Sequence, residues 1–435
     1  MKIGITTFGC DGGRSGIGRF LLSMLDCFEN RFDQHEFVIW TTAEEADVWR
    51  RDSSRFSLRT VSDRFGGAFS SVVWHQTHLP RECRLAEVDA VWFPAANRRL
   101  GGRNSVPAVG SVLDLASLHL PGKYSWKHDL YLRYVLPRMI NRLDEIMTIS
   151  EYSKRDIIAA TGCAAERVTV IPLGVDQLQF HPGDAALARS AVSTALGVDA
   201  PYLLYVSRLE HPAKNHVRLI ESFERLIAEH APPHHLILAG PDWNRAEVIH
   251  SRIHQSPLRQ RIHTTGFLPQ SLIPELYRAA DLCVIPSLYE GFGMPVIEAM
   301  ACGVPVALSN RTSLPEVAGG RAAVFEPDDL EAMTDCLALC LLDQPWREQA
   351  SIGGLGHAAT FRWEQTAERL LRLLARACGA PEASPAATEM SQDEIASESA
   401  QVDQPVHESQ GLPPVDGEVG AQPLMAAGSM AGGAR

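Results

Sequence analysis

No run of eighteen apolar residues occurs anywhere in the 435-residue chain, which excludes a transmembrane helix of ordinary length. The opening "MKIGITTFGCDGG" has no long apolar stretch and no small-residue cleavage site, so it reads as a first β-strand rather than a secretory signal. C-x-x-C pairs are missing as well. Nine cysteines, an odd number, lie scattered along the chain, and the expectation is reduced thiols in a cytoplasmic compartment instead of a disulfide framework. Cys336 and Cys340, one helical turn apart, read as core packing rather than metal ligation. A basic excess is absent too: 40 Lys and Arg against 52 Asp and Glu give a net charge of −12, whereas a nucleic-acid binder would show a basic domain.

The acidity is unevenly spread. From Gly379 onward nine acids face a single base, Arg435, so most of the net charge belongs to the last residues and the body is only mildly acidic. Segment 379–435 is rich in Ala, Ser, Pro, Gly, Gln and Glu and nearly free of aromatics. It cannot bury enough apolar surface to offset its ordering entropy, and disorder is the expectation.

What remains is too long for one ordinary core and divides most naturally into two domains with a cleft between them. Short β-branched runs alternate with helical stretches, and the alternation happens twice. "KIGITTF", "EFVIWTT", "AVWFPA", "PAVGSVLD", "EIMTIS" and "VTVIPL" form the first set of strand candidates; "YLLYVSR", "HLILAG", "IHTTGF", "LCVIPS", "PVALSN" and "AAVFEP" form the second. Helical periodicity fills most gaps, as in "NHVRLIESFERLIAEH". The expected fold class is α/β: two tandem doubly wound parallel-sheet, Rossmann-like domains over residues 1–170 and 185–360. Residues 171–184, with two prolines, two glycines and no periodicity, read as the hinge. A last helical stretch, 361–378, is expected to return and brace the first domain.

Ligands of open parallel sheets bind beyond the carboxyl ends of the strands. There the segment "SLYEGFGMPVIEAMACGVPV", residues 287–306, sets Glu290 and Glu298 eight positions apart across a Gly-Phe-Gly turn and Pro295. Proline suits a first helical turn because its missing N–H would be unpaired anyway. Gly291 and Gly293 allow backbone to approach a ligand closely, and the helix start offers free N–H groups to a phosphate or to hydroxyls. An ordinary pair of solvated acids is the plain alternative. Apolar neighbours on both sides argue against it, because a desolvated carboxylate needs hydrogen-bond donors such as sugar hydroxyls.

In "YVSRLEHPAKNHVRLI", Arg208 and Lys214 flank a short loop that enters a helix, a place where two cations and a helix dipole would hold an anionic group. Near the N-terminus the glycines of "DGGRSGIGRF", including Gly16 and Gly18, do not match G-x-G-x-x-G, so they read as a flexible loop lining the cleft and not as a dinucleotide fingerprint. Arg14 or Arg19 would reach an anionic group held across the cleft when it closes. His75 and His78 in "WHQTHLP" have no third ligand in view, and no metal site is assigned to them.

The motifs "YVSRLEHPAKN", "LILAG", "TTGFLP", "LYRAADLCVIPSLYEGFGMPVIEAMACGVPV" and "SLPEVAGG" resemble, in order and spacing, the retaining GT-B glycosyltransferases of family 4. Upstream, "GIGRF", "WHQTHLP", "VWFPAANRRL", "VLDLASLHLPGKYS" and "TISEYSKRDII" resemble the acceptor half of its mannosyltransferase-like members, so the likeness covers roughly residues 1–378. The resemblance implies that Arg208 and Lys214 hold the donor diphosphate and Glu298 the nucleoside ribose. Glu290 and the backbone of Gly291, Phe292 and Gly293 would hold the transferred sugar, and Gly240, Phe267 and Leu268 would line the nucleotide side. It also implies a nucleoside-diphosphate sugar as donor, a saccharide or lipid-linked saccharide as acceptor, surface polysaccharide or lipopolysaccharide assembly as the setting, and neither metal nor cofactor.

One departure matters. Where related sequences often carry His-Asp-Leu, this one has Leu113-Asp114-Leu115; Asp114 is the candidate for a sugar or acceptor contact, with His119 second. Two other readings stay open, a nucleotide-sugar epimerase or hydrolase on the same scaffold and a non-catalytic nucleotide-sugar-binding protein. The basic and apolar stretch "YSWKHDLYLRYVLPRMINRLD", with Arg98, Arg99 and Arg103, reads either as a surface for the inner face of the membrane or as a packed helix with a solvated side.

Overall fold

Each β-branched run chosen from the sequence forms a parallel strand at its predicted place. The computed structural model describes residues 1–100, 104–119 and 130–380. The acidic tail from residue 381 on, Arg103, and residues 124–129 of the basic stretch lie outside them.

Among the described residues, thirteen strands form two parallel sheets. The N-terminal sheet holds β1 (Lys2–Thr6), β2 (Glu36–Thr42), β3 (Phe56–Val61), β4 (Ala90–Phe93), β5 (Ala108–Ser111), β6 (Glu145–Thr148) and β7 (Val168–Val170) in the order β3-β2-β1-β4-β5-β6-β7. The C-terminal sheet holds β8 (Tyr202–Val206), β9 (His235–Ala239), β10 (Ile262–Thr264), β11 (Leu282–Ile285), β12 (Val306–Ser309) and β13 (Ala323–Phe325) in the order β10-β9-β8-β11-β12-β13. β3 was not among the sequence candidates. Ser57 and Arg59 interrupt its apolar run, as one side of an edge strand permits, and pairing with β2 (Phe37↔Phe56, Trp40↔Arg59) together with the stacked rings of Phe37 and Phe56, 4.8 Å apart, decides it.

Buried aromatics fix both cores: Phe20, Phe28, Phe37, Trp40 and Trp92 in the first domain, Tyr202, Tyr205, Phe223 and Tyr277 in the second. Residues 171–184 carry the chain from β7 to the helix Ala185–Leu196, which Asp184 caps by accepting from Ala186 and Leu187 N–H. The chain crosses back beside this segment. Val175 N–H donates to the Phe361 carbonyl at 3.1 Å, and a Cβ on Gly174 would lie 2.2 Å from the Trp363 nitrogen, so only glycine allows the two segments to touch.

The helix Trp363–Ala377 then packs on the helix Gly16–Arg31 and on β4 to β6. Arg376 forks onto the Glu145 carboxylate at 2.9 and 2.7 Å and donates to the Thr169 hydroxyl, tying this helix to β6 and β7.

In each sheet the connection after the third strand reverses direction. β1 and β4, and likewise β8 and β11, are therefore adjacent strands whose following loops diverge. These two crevices are where a doubly wound sheet takes ligands.

Candidate active site

At the C-terminal crevice the loop after β8 carries Arg208 and Lys214, and the loop after β11 carries Glu290. Lys214 Nζ donates to Glu290 Oε1 at 2.5 Å, with only 16% and 17% of the two side chains exposed. The Ser287 hydroxyl donates to the same oxygen at 2.7 Å and shares a hydrogen bond with the Tyr205 hydroxyl at 2.8 Å. Tyr205 is buried in β8, so the ion pair rests on a rigid strand. The Thr312 hydroxyl accepts from Glu290 N–H, and the Ser313 hydroxyl donates to the carbonyls of Glu290 and Phe292, which fixes the loop from behind.

Gly293, at φ +101°, sits just before the helix Met294–Ala301, whose first turn holds Pro295. Its own Cβ would lie 2.8 Å from Leu314 Cδ2. A non-glycine residue would be both strained and crowded there. On that helix Glu298 accepts from the Tyr277 hydroxyl at 2.9 Å. Burial pushes its carboxyl up, against the Tyr277 hydrogen bond and the Arg19 charge from the first domain. Arg14 turns back to the Asp11 carbonyl.

The first domain closes directly onto this loop. A Cβ on Gly291 would come within 2.7 Å of Asp114 Cβ, so the absent side chain is what allows Asp114 to lie against it. Burial raises the Asp114 carboxyl pKa, and the nearby Glu290 raises it further. The Ala116 N–H, Arg98 and Lys214 oppose this. Ser150, which caps the helix Glu151–Thr161, donates to the Gly291 carbonyl at 2.9 Å. Glu316 of the second domain accepts from the N–H groups of Glu151 and Tyr152, so this helix start is neutralised from across the cleft.

The structure therefore brings Lys214, Glu290, Gly291 and Asp114 together, with Glu298 on the following helix. The exposed Arg208 shares the Lys214 loop but lies 4.8 Å over the Trp243 ring and pairs with Glu210 at 3.3 Å. Phe292 is buried against Phe361, leaving only its backbone for a ligand. Gly240 has a packing reason of its own, since a Cβ would sit 2.1 Å from the Ser207 carbonyl oxygen. Phe267 is exposed, and Leu268 packs on the core.

Gly18 lets the helix Gly16–Arg31 lie on the Cys10 carbonyl, 2.3 Å from where its Cβ would be, whereas Gly16 meets nothing within 4 Å. Leu113 is buried in the core. His119 stacks on Tyr289, ring centroids 5.3 Å apart, and both bond to Asp156, at 2.7 Å from His119 Nε2 and 2.9 Å from the Tyr289 hydroxyl. His75 is buried among Phe8, Trp74 and Phe93, with burial pushing its pKa down to about 3.

The supporting residues Tyr205, Ser287, Thr312, Ser150, Asp156, Tyr289 and Glu316 were not singled out from the sequence. All but Thr312 lie inside quoted motifs, but only folding shows what they touch.

Comparisons with known proteins place the chain among sugar transferases. Residues 14–177 match the model described as Glycosyltransferase Family 4, and residues 190–354 match that of Glycosyl transferases group 1. The O-antigen chain mannosyltransferase B of Escherichia coli is 32% identical over 257 residues, covering 59% of this chain and 67% of that protein. The serotype-specific mannosyltransferase WbdA of Escherichia coli is 31% identical over 52% of this chain, a match that spans 28% of that longer protein. Among solved structures, Anabaena Alr3699/HepE in complex with UDP and glucose superposes with a TM-score of 0.66 over 86% of this chain and 100% of that one, at 20% identity. That last likeness shows the shared two-domain fold.

Proposed function

The chain belongs to glycosyltransferase family 4, and from that premise we propose that it moves a hexose, mannose or glucose, from a nucleoside-diphosphate sugar to a saccharide or lipid-linked saccharide, with retention of anomeric configuration, in surface polysaccharide assembly. One observation carries the reading: the ammonium of Lys214 and the carboxylate of Glu290 lie 2.5 Å apart, mostly buried, where the loops after β8 and β11 diverge. A single bound group there meets a cation for its phosphate and an acid for its hydroxyls. The mannosyltransferase names of the two relatives, and the UDP and glucose held by the solved structure, support the donor and acceptor classes.

Breaking a glycosyl–phosphate bond builds positive charge on the sugar and negative charge on the departing diphosphate. Lys214, Arg208 and the N–H groups at the start of the helix Met294–Ala301 neutralise the anion, in a site already organised by Ser287, Thr312 and Ser313. Glu290 clasps the hexose and Glu298 the ribose. Asp114, against Gly291, contacts the sugar or the incoming acceptor from the opposite domain. Because side-chain cations carry the neutralisation, we expect turnover to survive EDTA.

A thermal-shift screen with GDP-, UDP- and ADP-sugars identifies the donor, and labelled-donor product analysis separates transfer from epimerisation or hydrolysis. Replacing Lys214 or Arg208 by Ala should then lower kcat about 10²–10³-fold. Unchanged turnover in folded variants would remove these residues from the reaction.

We further propose a cytoplasmic protein in peripheral contact with the inner membrane surface. No helix among the described residues is long and apolar enough to cross a membrane. In the described part of the basic stretch Leu132, Leu136, Met139 and Ile140 are buried, while Leu130, Tyr134 and Val135 are exposed beside Arg133 and Arg138. Co-sedimentation with anionic liposomes that fades at high salt is the expected result, and salt-insensitive absence of binding would contradict it.

A further inference from the structure

A second hollow opens away from the transfer site, between the β2–β3 edge of the N-terminal sheet and the helices Ala68–Thr77 and Leu79–Ala86. It measures about 200 Å³, room for on the order of six waters. The buried rings of Trp40 and Trp74 lie at its floor. Phe65 and His78 stand together at one wall, ring centroids 5.2 Å apart, with the Arg64 guanidinium 4.7 Å from the Phe65 ring. Arg59 and Glu82, also in the lining, approach only to 3.8 Å, with more than 30% of each side chain exposed.

The chemistry of this lining narrows the occupant. Glu82 disfavours an anion, and Arg59 and Arg64 disfavour a cation. Apolar floor and polar rim together suit a molecule with one face of C–H groups and an edge of hydroxyls that both donate and accept. A pyranose ring has that distribution.

Position adds to this. Thr60, Val61, Ser62, Arg64 and Phe65 lie at the carboxyl end of β3 and in the loop after it, the same sheet edge at which the loop carrying Gly9 to Gly18 leaves β1. β3 is two strands from β1, roughly 10 Å at the usual strand spacing. A chain whose reacting end enters the cleft passes within reach of it.

We infer that this hollow is a saccharide subsite that holds a pyranose of gluco or manno configuration, belonging to the acceptor chain and lying back from its reacting end. The inference rests on the transferase reading and adds an anchoring point that makes a longer acceptor bind better than a short one. The ring edges at the floor close on the C–H side of the pyranose, and Arg59, Arg64, His78 and Glu82 select its hydroxyls.

The test uses the full chain and two probes, an α-linked mannopentaose and maltopentaose, with binding followed by calorimetry or saturation-transfer NMR. Wild type should bind at least one pentaose, and Arg64→Ala, His78→Ala and Phe65→Ala should each weaken it at least five-fold. Arg64 and His78 are exposed, so those two variants have little reason to misfold. The KM for the pentaose should rise in parallel, while the KM for the matching monosaccharide glycoside shows no such dependence. Pentaose binding unaltered by the three substitutions overturns the proposal, as does a wild type that takes a nucleotide-sugar but neither pentaose. A wild type that shifts with no nucleotide-sugar sinks the transferase reading instead, so the two failures are told apart.

Discussion

The two sheets share one strand order through their first six strands, and each crevice holds an ion pair, enclosed in the second domain and open in the first. After β8 and β11 the C-terminal domain places a cation and an acid in direct, half-enclosed contact, supported by hydroxyls from Tyr205, Ser287, Thr312 and Ser313. After β1 and β4 the N-terminal domain places a tight turn whose ion pair is exposed. Asp11 lies at φ +53°, Gly12 at +57° and Gly13 at +78°, and Arg98 ties the turn down by bonding to Asp11 Oδ2 at 2.6 Å and the Gly9 carbonyl at 3.1 Å. Identical topology thus supplies only the place. Which domain grips a donor and which closes over it is set by a few loop residues at the switch points, because strands are committed to the core and loops are not.

The sharpest way to break this contrast is to remove one cation from each crevice. Lys214→Ala should lose about 2–4 kcal/mol of transition-state stabilisation, or 10²–10³ in kcat. Arg98→Ala, which holds an exposed turn and acts on Asp114 only through its charge, should cost no more than about 1 kcal/mol, less than about ten-fold. Steady-state kinetics on both variants decides, and equal losses would erase the division of labour.

Acid stability provides the next comparison, since each domain buries one histidine whose pKa burial pushes down to about 3, His75 in the first and His216 in the second. With folded values below the unfolded one, their stabilisation is complete above about pH 6.5 and drains away as pH falls toward 3. Lowering the pH from 7 to 5 should remove about 2 kcal/mol per histidine, visible as a lower urea midpoint. His75→Phe and His216→Phe should each flatten part of that slope. Asp114 and Glu298, whose pKa values are raised by burial, act with the opposite sign. What they contribute is present in acid and fades as pH climbs through their folded values.

A smaller effect separates two glycines. Gly291→Ala puts a methyl onto Asp114 and should destabilise by about 1–3 kcal/mol through overpacking. Gly16→Ala meets nothing within 4 Å and should be neutral, or stabilising by up to about 1 kcal/mol. Thermal unfolding of the pair measures it. Smallest of all, Ser150→Ala or Glu316→Gln removes part of the cap that joins the helix Glu151–Thr161 to the second domain, at about 0.5–2 kcal/mol. Small-angle scattering should then show a more open particle.

Twelve of the thirteen strands were legible because buried parallel strands are continuous apolar runs. β3 escaped since an edge strand needs apolar residues on one face only. Glu290 and Glu298 were legible through the glycines and proline around them, and Lys214 through its place on a short loop between a strand and a helix. The rings of Tyr205 and Tyr277 are buried in the core, and nothing in a one-dimensional pattern says that their hydroxyls end against Ser287 and Glu298. Phe292 was expected to offer only its backbone, and what the sequence does not show is that the returning chain at Phe361 claims its ring.

By itself the sequence determined the alternation of strand and helix, its duplication, and the identity of the charged residues at the switch-point loops, because local propensity and hydrophobic period are properties of neighbouring positions. Tertiary structure alone decided that Asp114 rests on Gly291, that Glu316 caps a helix 165 residues away, and that His119, Asp156 and Tyr289 form one cluster. Those contacts join residues from opposite sheets, and only the packing of one domain on the other can bring them within hydrogen-bonding range.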